Sequence, residues 1–351
     1  MNLDFFTQLL ENNSILALIA TIVALLASLY IIPEVIKRMK QSKHFAVDIN
    51  KKNKPKIPEM GGVGLVLAVT ISMTLVGGLL VFANVLEDAT GIYAALAVVF
   101  IASYIGLFDD IAVISRKNKA IGLLLAGLPL AVARPGFALV EIPFYDSIQL
   151  YPYYPIYLLF WLLVVPFGVL AAANAFNMSA GYNGVEPGQT SVIAFFLMLI
   201  SIIHNSDILG TMIFAATFGA SLGLYSFNRF PARTFVGDIG TLSMGALIAT
   251  GAIYTGLEIY AVILIIPMFY EGIATFYYSR KKIERRDACM NPVINKDGTL
   301  QPPEGAERYT LFYFILSKKP MTEGRLVQAV LAIYIILGLL TLTVSILTVV
   351  L

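Results

Sequence analysis

Two adjacent carboxylates, Asp109 and Asp110, close an apolar run, and a third, Asp238, stands between Gly237 and Gly240 at the start of another. Adjacent residues do not share a helix face, so one of the pair can address a ligand while the other braces it. Ionised carboxylates beside apolar surroundings are costly unless a metal or a cationic side chain offsets them. Lys119, ten residues after Asp109, supplies such a cation and can also meet a phosphate. Between two further apolar runs lies 174–189, with Asn174, Asn177, Asn183, three glycines, a proline and one acid, Glu186. Its carboxamides and backbone amides suit a neutral polar ligand such as a nucleobase or sugar, and an Asn oxygen can serve a hard cation. Taken alone, a glycine- and asparagine-rich stretch is equally a turn, and for a lone Asp238 a plain N-cap is the favoured reading.

What positions these residues is a chain of 351 residues, 58% hydrophobic and only 13% charged, with a mean hydropathy of +0.80. Ordinary soluble domains are about 45–50% apolar and about 25% charged, so the composition implies a polytopic, all-α membrane protein. Runs of near-spanning length fall at about 14–33, 61–83, 91–108, 118–133, 154–173, 190–203, 208–227, 240–257, 259–279 and 326–350. Ten runs put alternate loops on opposite sides. Of the 24 Lys and Arg residues, all but Arg134 fall in the loops 34–60, 109–117, 174–189, 228–239 and 280–325, or at Lys119 two residues beyond one of them. That asymmetry predicts these loops on the cytoplasmic face and both termini outside it. The first run has no basic residue before Lys37, so it reads as a permanent helix rather than a cleaved leader. The chain reads as one integral-membrane domain, 1–351, with a small surface subdomain at about 280–325. The single cysteine, Cys289, allows no intrachain disulfide and gives no zinc signature.

The first cytoplasmic loop carries eight basic residues between Lys37 and Lys56, which can anchor it to anionic headgroups. Asp48, Asn50 and Glu59 in the same loop are harder to explain as anchors, because acids work against that purpose. Phe235, just before Asp238, offers a ring for stacking on a base, or an interfacial anchor. Glu271 lies about 13 Å from the cytoplasmic end of the ninth run at about 1.5 Å per residue, and Pro267 and Gly272 predict a broken helix there. Asn295-Lys296-Asp297-Gly298-Thr299 predicts a hairpin turn.

Carboxylates and a carboxamide suit Mg²⁺, with Mn²⁺ as the alternative, shared with substrate phosphates. Transfer from a diphosphate is mostly positioning and charge neutralisation. The absence of a Walker A motif argues against an ATP-driven pump, and no nucleic-acid partner is expected. The rival class is a secondary transporter with Glu271 as its coupling acid. Transporters, however, gather their binding groups near the bilayer midplane, often between paired repeats, and no repeat shows here.

Three motifs give a specific resemblance: Gly106-Leu107-Phe108-Asp109-Asp110, Asn174 through Gly184, and Phe235-Val236-Gly237-Asp238. They are similar to the polyprenyl-phosphate N-acetylhexosamine-1-phosphate transferases. Ala180 through Gln189 and Val47 through Glu59 most resemble the eukaryotic-type branch, which transfers GlcNAc-1-phosphate from UDP-GlcNAc to dolichyl phosphate to begin lipid-linked oligosaccharide synthesis for N-glycosylation. The resemblance runs from about Asp48 to the end of the eighth run and implies ten transmembrane helices in the lipid bilayer; it leaves room for a homodimer. It implies Asn177 and Asp238 as Mg²⁺ ligands, and Asp109 and Asp110 at the lipid phosphate or the metal, Asp109 foremost. Lys119 would contact the diphosphate, while Ile49, Gly181, Asn183 and Phe235 would hold the uracil. Asp48 and Glu59 would support the substrate from the first loop, and Arg285 or Arg286 would bind diphosphate or sugar from the last. That last loop departs from the pattern. It lacks the histidine-rich motif of the bacterial phospho-MurNAc-pentapeptide transferases, and has only Glu284-Arg285-Arg286-Asp287 where the eukaryotic-type branch has Arg-His-Arg. Val113 stands where that branch has an Asn.

Overall fold

A computed structural model describes residues 10–133, 139–145, 147–150, 153–283, 291–306 and 310–351. Among them, eight helices are long and apolar enough to cross a membrane. They are α1 (Asn13–Gln41), α2 (Gly62–Phe82), α3 (Thr90–Ala112), the continuous run Tyr154–Met178, α8 (Val185–Ile203), α9 (Ile208–Asn228), α11 (Glu258–Arg280) and α13 (Glu323–Val350). The run Tyr154–Met178 comprises α6 (Tyr154–Leu159), a π turn at Phe160–Val164 and α7 (Val165–Met178). Pro166 follows that turn. A proline cannot donate to the helical ladder, and one wide turn accommodates it without ending the helix.

Two of the ten apolar runs take a different form from the expected single lipid-facing span. The fourth is divided at Gly127 into α4 (Arg116–Ala126) and α5 (Leu128–Ala133), each too short to cross alone. Pro129, just inside α5, disfavours a continuous helix there. The eighth is α10 (Asp238–Thr255), in which every residue from Ile239 to Thr255 is buried. A helix covered on all sides needs close neighbours more than apolar bulk, and α10 is rich in Gly, Ala, Ser and Thr. It lies at the centre of the bundle against α2, α3, α7 and α9.

Around this centre α1 is tied to α9 by hydroxyls, which lose least by bonding a neighbouring backbone when water is absent. Thr21 Oγ1 donates to the Ala215 carbonyl (3.2 Å) and Ser28 Oγ to that of Ala220 (3.0 Å). On the polar surfaces the chain forms three short antiparallel hairpins. In the first loop β1 (Phe45–Val47) pairs with β2 (Lys56–Pro58). β3 (Leu139–Val140) pairs with β4 (Ile148–Gln149) between α5 and α6, and β5 (Val293–Ile294) with β6 (Leu300–Gln301) in the last loop. The expected turn at 295–299 joins β5 to β6, with Gly298 at φ +83° and Asn295 N–H donating to the Thr299 carbonyl (2.8 Å).

The helix α11 runs unbroken through Pro267 and Gly272, contrary to the expected break. Packed transmembrane neighbours stabilise such helices through residues that would end them in water. Glu271 is buried, and its Oε1 accepts the N–H of Leu311 (2.8 Å), the first residue of α12 (Leu311–Lys318). This carboxylate satisfies one of the orphan donors at a helix start, so the observation that favoured a transport acid has a structural account.

Candidate active site

The site begins where three helix ends meet on one surface. α3 finishes on Asp109 and Asp110, α4 carries Lys119 in its first turn, and α10 starts at Asp238. The glycine Gly106, one turn before the acid pair, brings α3 against the first peptide of α10. A Cβ there would lie 2.4 Å from the Asp238 carbonyl oxygen, closer than real atoms approach. The turn before Asp238 needs Gly237 at φ +74°, a backbone region that L side chains rarely adopt.

Within this frame the two adjacent aspartates divide their work. Asp109 Oδ2 accepts a hydrogen bond from Lys119 Nζ (2.8 Å), and its Oδ1 accepts the N–H of Ile114 (2.6 Å). Lys119 Nζ also donates to Asp238 Oδ2, so one ammonium bridges two carboxylates. Asp110 turns the other way. Its Oδ1 accepts the N–H of Asp238 (2.7 Å) and its Oδ2 that of Ile239 (3.0 Å). A carboxylate at the positive end of a helix satisfies two orphan donors and complements the macrodipole. Asp110, expected at the lipid phosphate or the metal, is thus placed as the cap that holds α10 and sets the position of Asp238. Asp110→Asn leaves a single oxygen for two donors. We expect it to cost about 1–3 kcal/mol of stability, the usual price of an unpaired buried donor. The check is a lower melting temperature in detergent accompanied by reduced activity; an unchanged melting temperature would contradict the capping role.

Asn177 ends α7 on the same side. Its Nδ2 donates to Asp238 Oδ1 (2.7 Å) and to Thr241 Oγ1 (2.9 Å). Both amide hydrogens being used, the carbonyl oxygen of Asn177 is the atom left for a cation. Among the described residues no group of three or more His, Cys, Asp or Glu could hold a metal unaided. A magnesium ion that keeps several waters and shares itself with substrate phosphates needs only one or two carboxylates, so Asp238, Asp109 and Asn177 form a fitting oxygen set. The ammonium seated between the two carboxylates also marks this as a place that calls for positive charge.

Only four to six residues further along the same loop, the chain joins a second polar cluster. Asn183 is buried, and its Nδ2 donates to Asp48 Oδ2 (3.0 Å), while its backbone N–H donates to Glu323 Oε1 (2.8 Å). Asn50 Nδ2 donates to the Gly181 carbonyl (2.9 Å), and the Gly181 N–H donates to Glu186 Oε1 (3.3 Å). Lys51 bridges Asp48 (2.9 Å) and Glu323. Six residues separate Asn177 from Asn183, so the clusters lie at most about 20 Å apart.

The first loop connects them. Pro58 of β2 accepts the Phe235 N–H (2.8 Å), and Phe235 accepts the Gly61 N–H (2.8 Å), which fastens the hairpin to the segment leading into Asp238. Glu59, next to Pro58, forms a pair with His44 (3.5 Å). Ile49 is exposed, at 41%. Arg285 and Arg286 lie outside the described residues. Sequence reading missed Thr241 and Glu323. A hydroxyl one helical turn after Asp238 was a readable signal for the first; an acid opening the last apolar helix was the only signal for the second.

The glycosyl transferase family 4 model matches residues 92–256, from the start of α3 to the end of α10. Over 327 residues the chain is 30% identical to a provisionally named glycosyltransferase of Methanocaldococcus jannaschii, covering 93% of this chain and 95% of that one. It is 31% identical over 245 residues to a provisionally named UDP-N-acetylglucosamine–dolichyl-phosphate N-acetylglucosaminephosphotransferase of Saccharolobus solfataricus, covering 68% of this chain and 71% of the other. A protein of Sulfolobus acidocaldarius with the same provisional name is 30% identical over 251 residues, covering 68% and 73%.

Proposed function

We propose that the chain, which belongs to glycosyl transferase family 4, transfers N-acetylglucosamine-1-phosphate from UDP-GlcNAc to a polyprenyl phosphate, dolichyl phosphate in first place, and releases UMP. The observation that carries this reading is the surface cluster in which Lys119 bridges Asp109 and Asp238 while Asn177 bonds Asp238. That arrangement suits charge neutralisation of a diphosphate. The relatives from Saccharolobus solfataricus and Sulfolobus acidocaldarius, whose names specify this donor and acceptor, support the choice of substrates.

In this reading an oxygen of the acceptor phosphate forms a bond to the β-phosphorus of the donor. The bond from that phosphorus to the bridging oxygen breaks, and the oxygen leaves with UMP. Lys119 offsets charge on the diphosphate, and Asp109 orients Lys119 and the incoming phosphate. Asp110 acts through Asp238 by fixing the start of α10. Mg²⁺, held when bound by Asp238 and Asn177 with Asp109 beside them, would supply Lewis-acid neutralisation of the diphosphate. Asn183 and Gly181, braced by Asp48, Asn50 and Glu323, would hold the base, with Phe235 and Ile49 nearby and the sugar reached by Arg285 or Arg286. The distribution of basic residues supports a cytoplasmic site with both termini on the opposite face. In that topology α4 with α5, and α10 inside the bundle, complete ten crossings. The product would begin a lipid-linked oligosaccharide for N-glycosylation.

The test is a donor panel. Purified chain, dolichyl phosphate and Mg²⁺ are incubated with UDP-GlcNAc, UDP-GalNAc or UDP-glucose. A diphosphate lipid should form with UDP-GlcNAc and be lost on chelation of the metal. Absence of product with every UDP-hexosamine and every polyprenyl phosphate would overturn the reading.

A further inference from the structure

Away from the site, a cavity of about 490 Å³ opens between α1, β2 and the segment joining α9 to α10. Its floor is apolar: Pro33 and Ile36 of α1, Ile57 and Pro58 of β2, and Phe227 at the end of α9. Three cations line it, Lys40, Lys56 and Arg233, and no acid does. Pro33, Ile36 and Lys40 are spaced three and four apart and share one helix face. The guanidinium of Arg233 lies over the Phe227 ring, 4.5 Å from its centre, and donates to the Ser226 carbonyl (2.9 Å). Among the described residues, neither Lys40 nor Lys56 is paired with a carboxylate. The acids nearest in the chain are committed elsewhere: Glu34 to Lys37 and Arg38, Asp48 to Lys51, Glu59 to His44.

We propose that this groove binds the headgroup and upper acyl chain of an anionic phospholipid. Its floor lies where the apolar runs of α1 and α9 end, and with the loops that follow these runs taken as cytoplasmic, that is the level at which lipid headgroups would sit. Three cations beside an apolar wall call for an anion that brings hydrocarbon with it, and a phosphodiester lipid has both parts. A soluble phosphate would leave the apolar floor uncovered.

Occupancy has a consequence for the neighbouring site because β2 is a shared wall. Ile57 and Pro58 line the groove, and the Pro58 carbonyl accepts hydrogen bonds from Phe235 N–H (2.8 Å) and Thr234 Oγ1 (3.1 Å). A lipid seated here braces the strand that holds Phe235 and precedes Glu59.

The experiment reads binding directly and does not depend on any activity. Full-length protein is reconstituted in nanodiscs of phosphatidylcholine mixed with phosphatidylglycerol, released, and examined by native mass spectrometry for retained lipid. The wild type should retain one phosphatidylglycerol in preference to phosphatidylcholine. Lys40→Gln, Lys56→Gln and Arg233→Gln should each lower that preference roughly fivefold. A Lys40→Gln/Lys56→Gln double variant, which leaves the Arg233–Phe227 stacking intact, guards against loss by misfolding. Neutralising Lys54 and Lys117, which lie outside the groove, should change nothing. Equal retention of both lipids, an equal effect of the control lysines, or displacement of phosphatidylglycerol by dolichyl phosphate would each overturn the proposal.

Discussion

Asp238→Ala is expected to reduce sugar-phosphate transfer by roughly 10²–10³-fold while the protein still folds, as when a preorganised charge-stabilising group is removed. The side chain is the meeting point of the site: it accepts from Lys119 and from Asn177. Without it Lys119 retains only Asp109, Asn177 retains only Thr241, and the oxygen set loses its central carboxylate. The fold survives because Asp110 caps α10 through the backbone amides of residues 238 and 239, which the substitution keeps. Transfer measured beside elution profile and melting temperature separates the two effects. Full activity in a well-folded variant would contradict the role given to Asp238.

Gly106→Ala should produce a comparably large loss by a different route. The added methyl would sit 2.4 Å from the Asp238 carbonyl oxygen and 2.5 Å from the Ile239 nitrogen, both backbone atoms that cannot rotate away. The helix α3 must therefore move away from α10, carrying Asp109 and Asp110 out of register with Asp238. A displacement of about 1 Å between reacting groups can cost about 10²-fold in rate. Gly78→Ala is the matched control, because nothing lies within 4 Å of a Cβ at that position. Equal activity of the two variants would show that the close approach of α3 and α10 is not what sets the site.

Local periodicity and composition made a good part of this legible in the sequence. The division between Asp109 and Asp110 follows from helix geometry alone, since neighbours face apart. Which one turned inward was not readable. The partner of Asp110 is the start of α10, 128 residues away, and a hydrogen bond to a backbone amide leaves no trace in residue type. The loop 174–189 likewise showed its polar groups, while its assignment to two clusters depends on Asp48, Asn50 and Glu323 arriving from distant segments. The break in the fourth run was written in Gly127-Leu128-Pro129, and the run 118–133 was already short for a span. Pro267 and Gly272 misled in the opposite sense, because burial among helices overrides propensities calibrated in water. The same override explains α10, whose modest hydropathy reflects a central position that few lipid-facing side chains would fit.

The central claim concerns which bond of the donor is broken. UDP-GlcNAc carrying one radiolabel in the sugar and another in the β-phosphate, incubated with the purified chain, Mg²⁺ and dolichyl phosphate, decides it. The account predicts that both labels move together into the lipid fraction and that UMP appears in equal amount. Release of UDP holding the phosphate label, with only the sugar reaching the lipid, would contradict it.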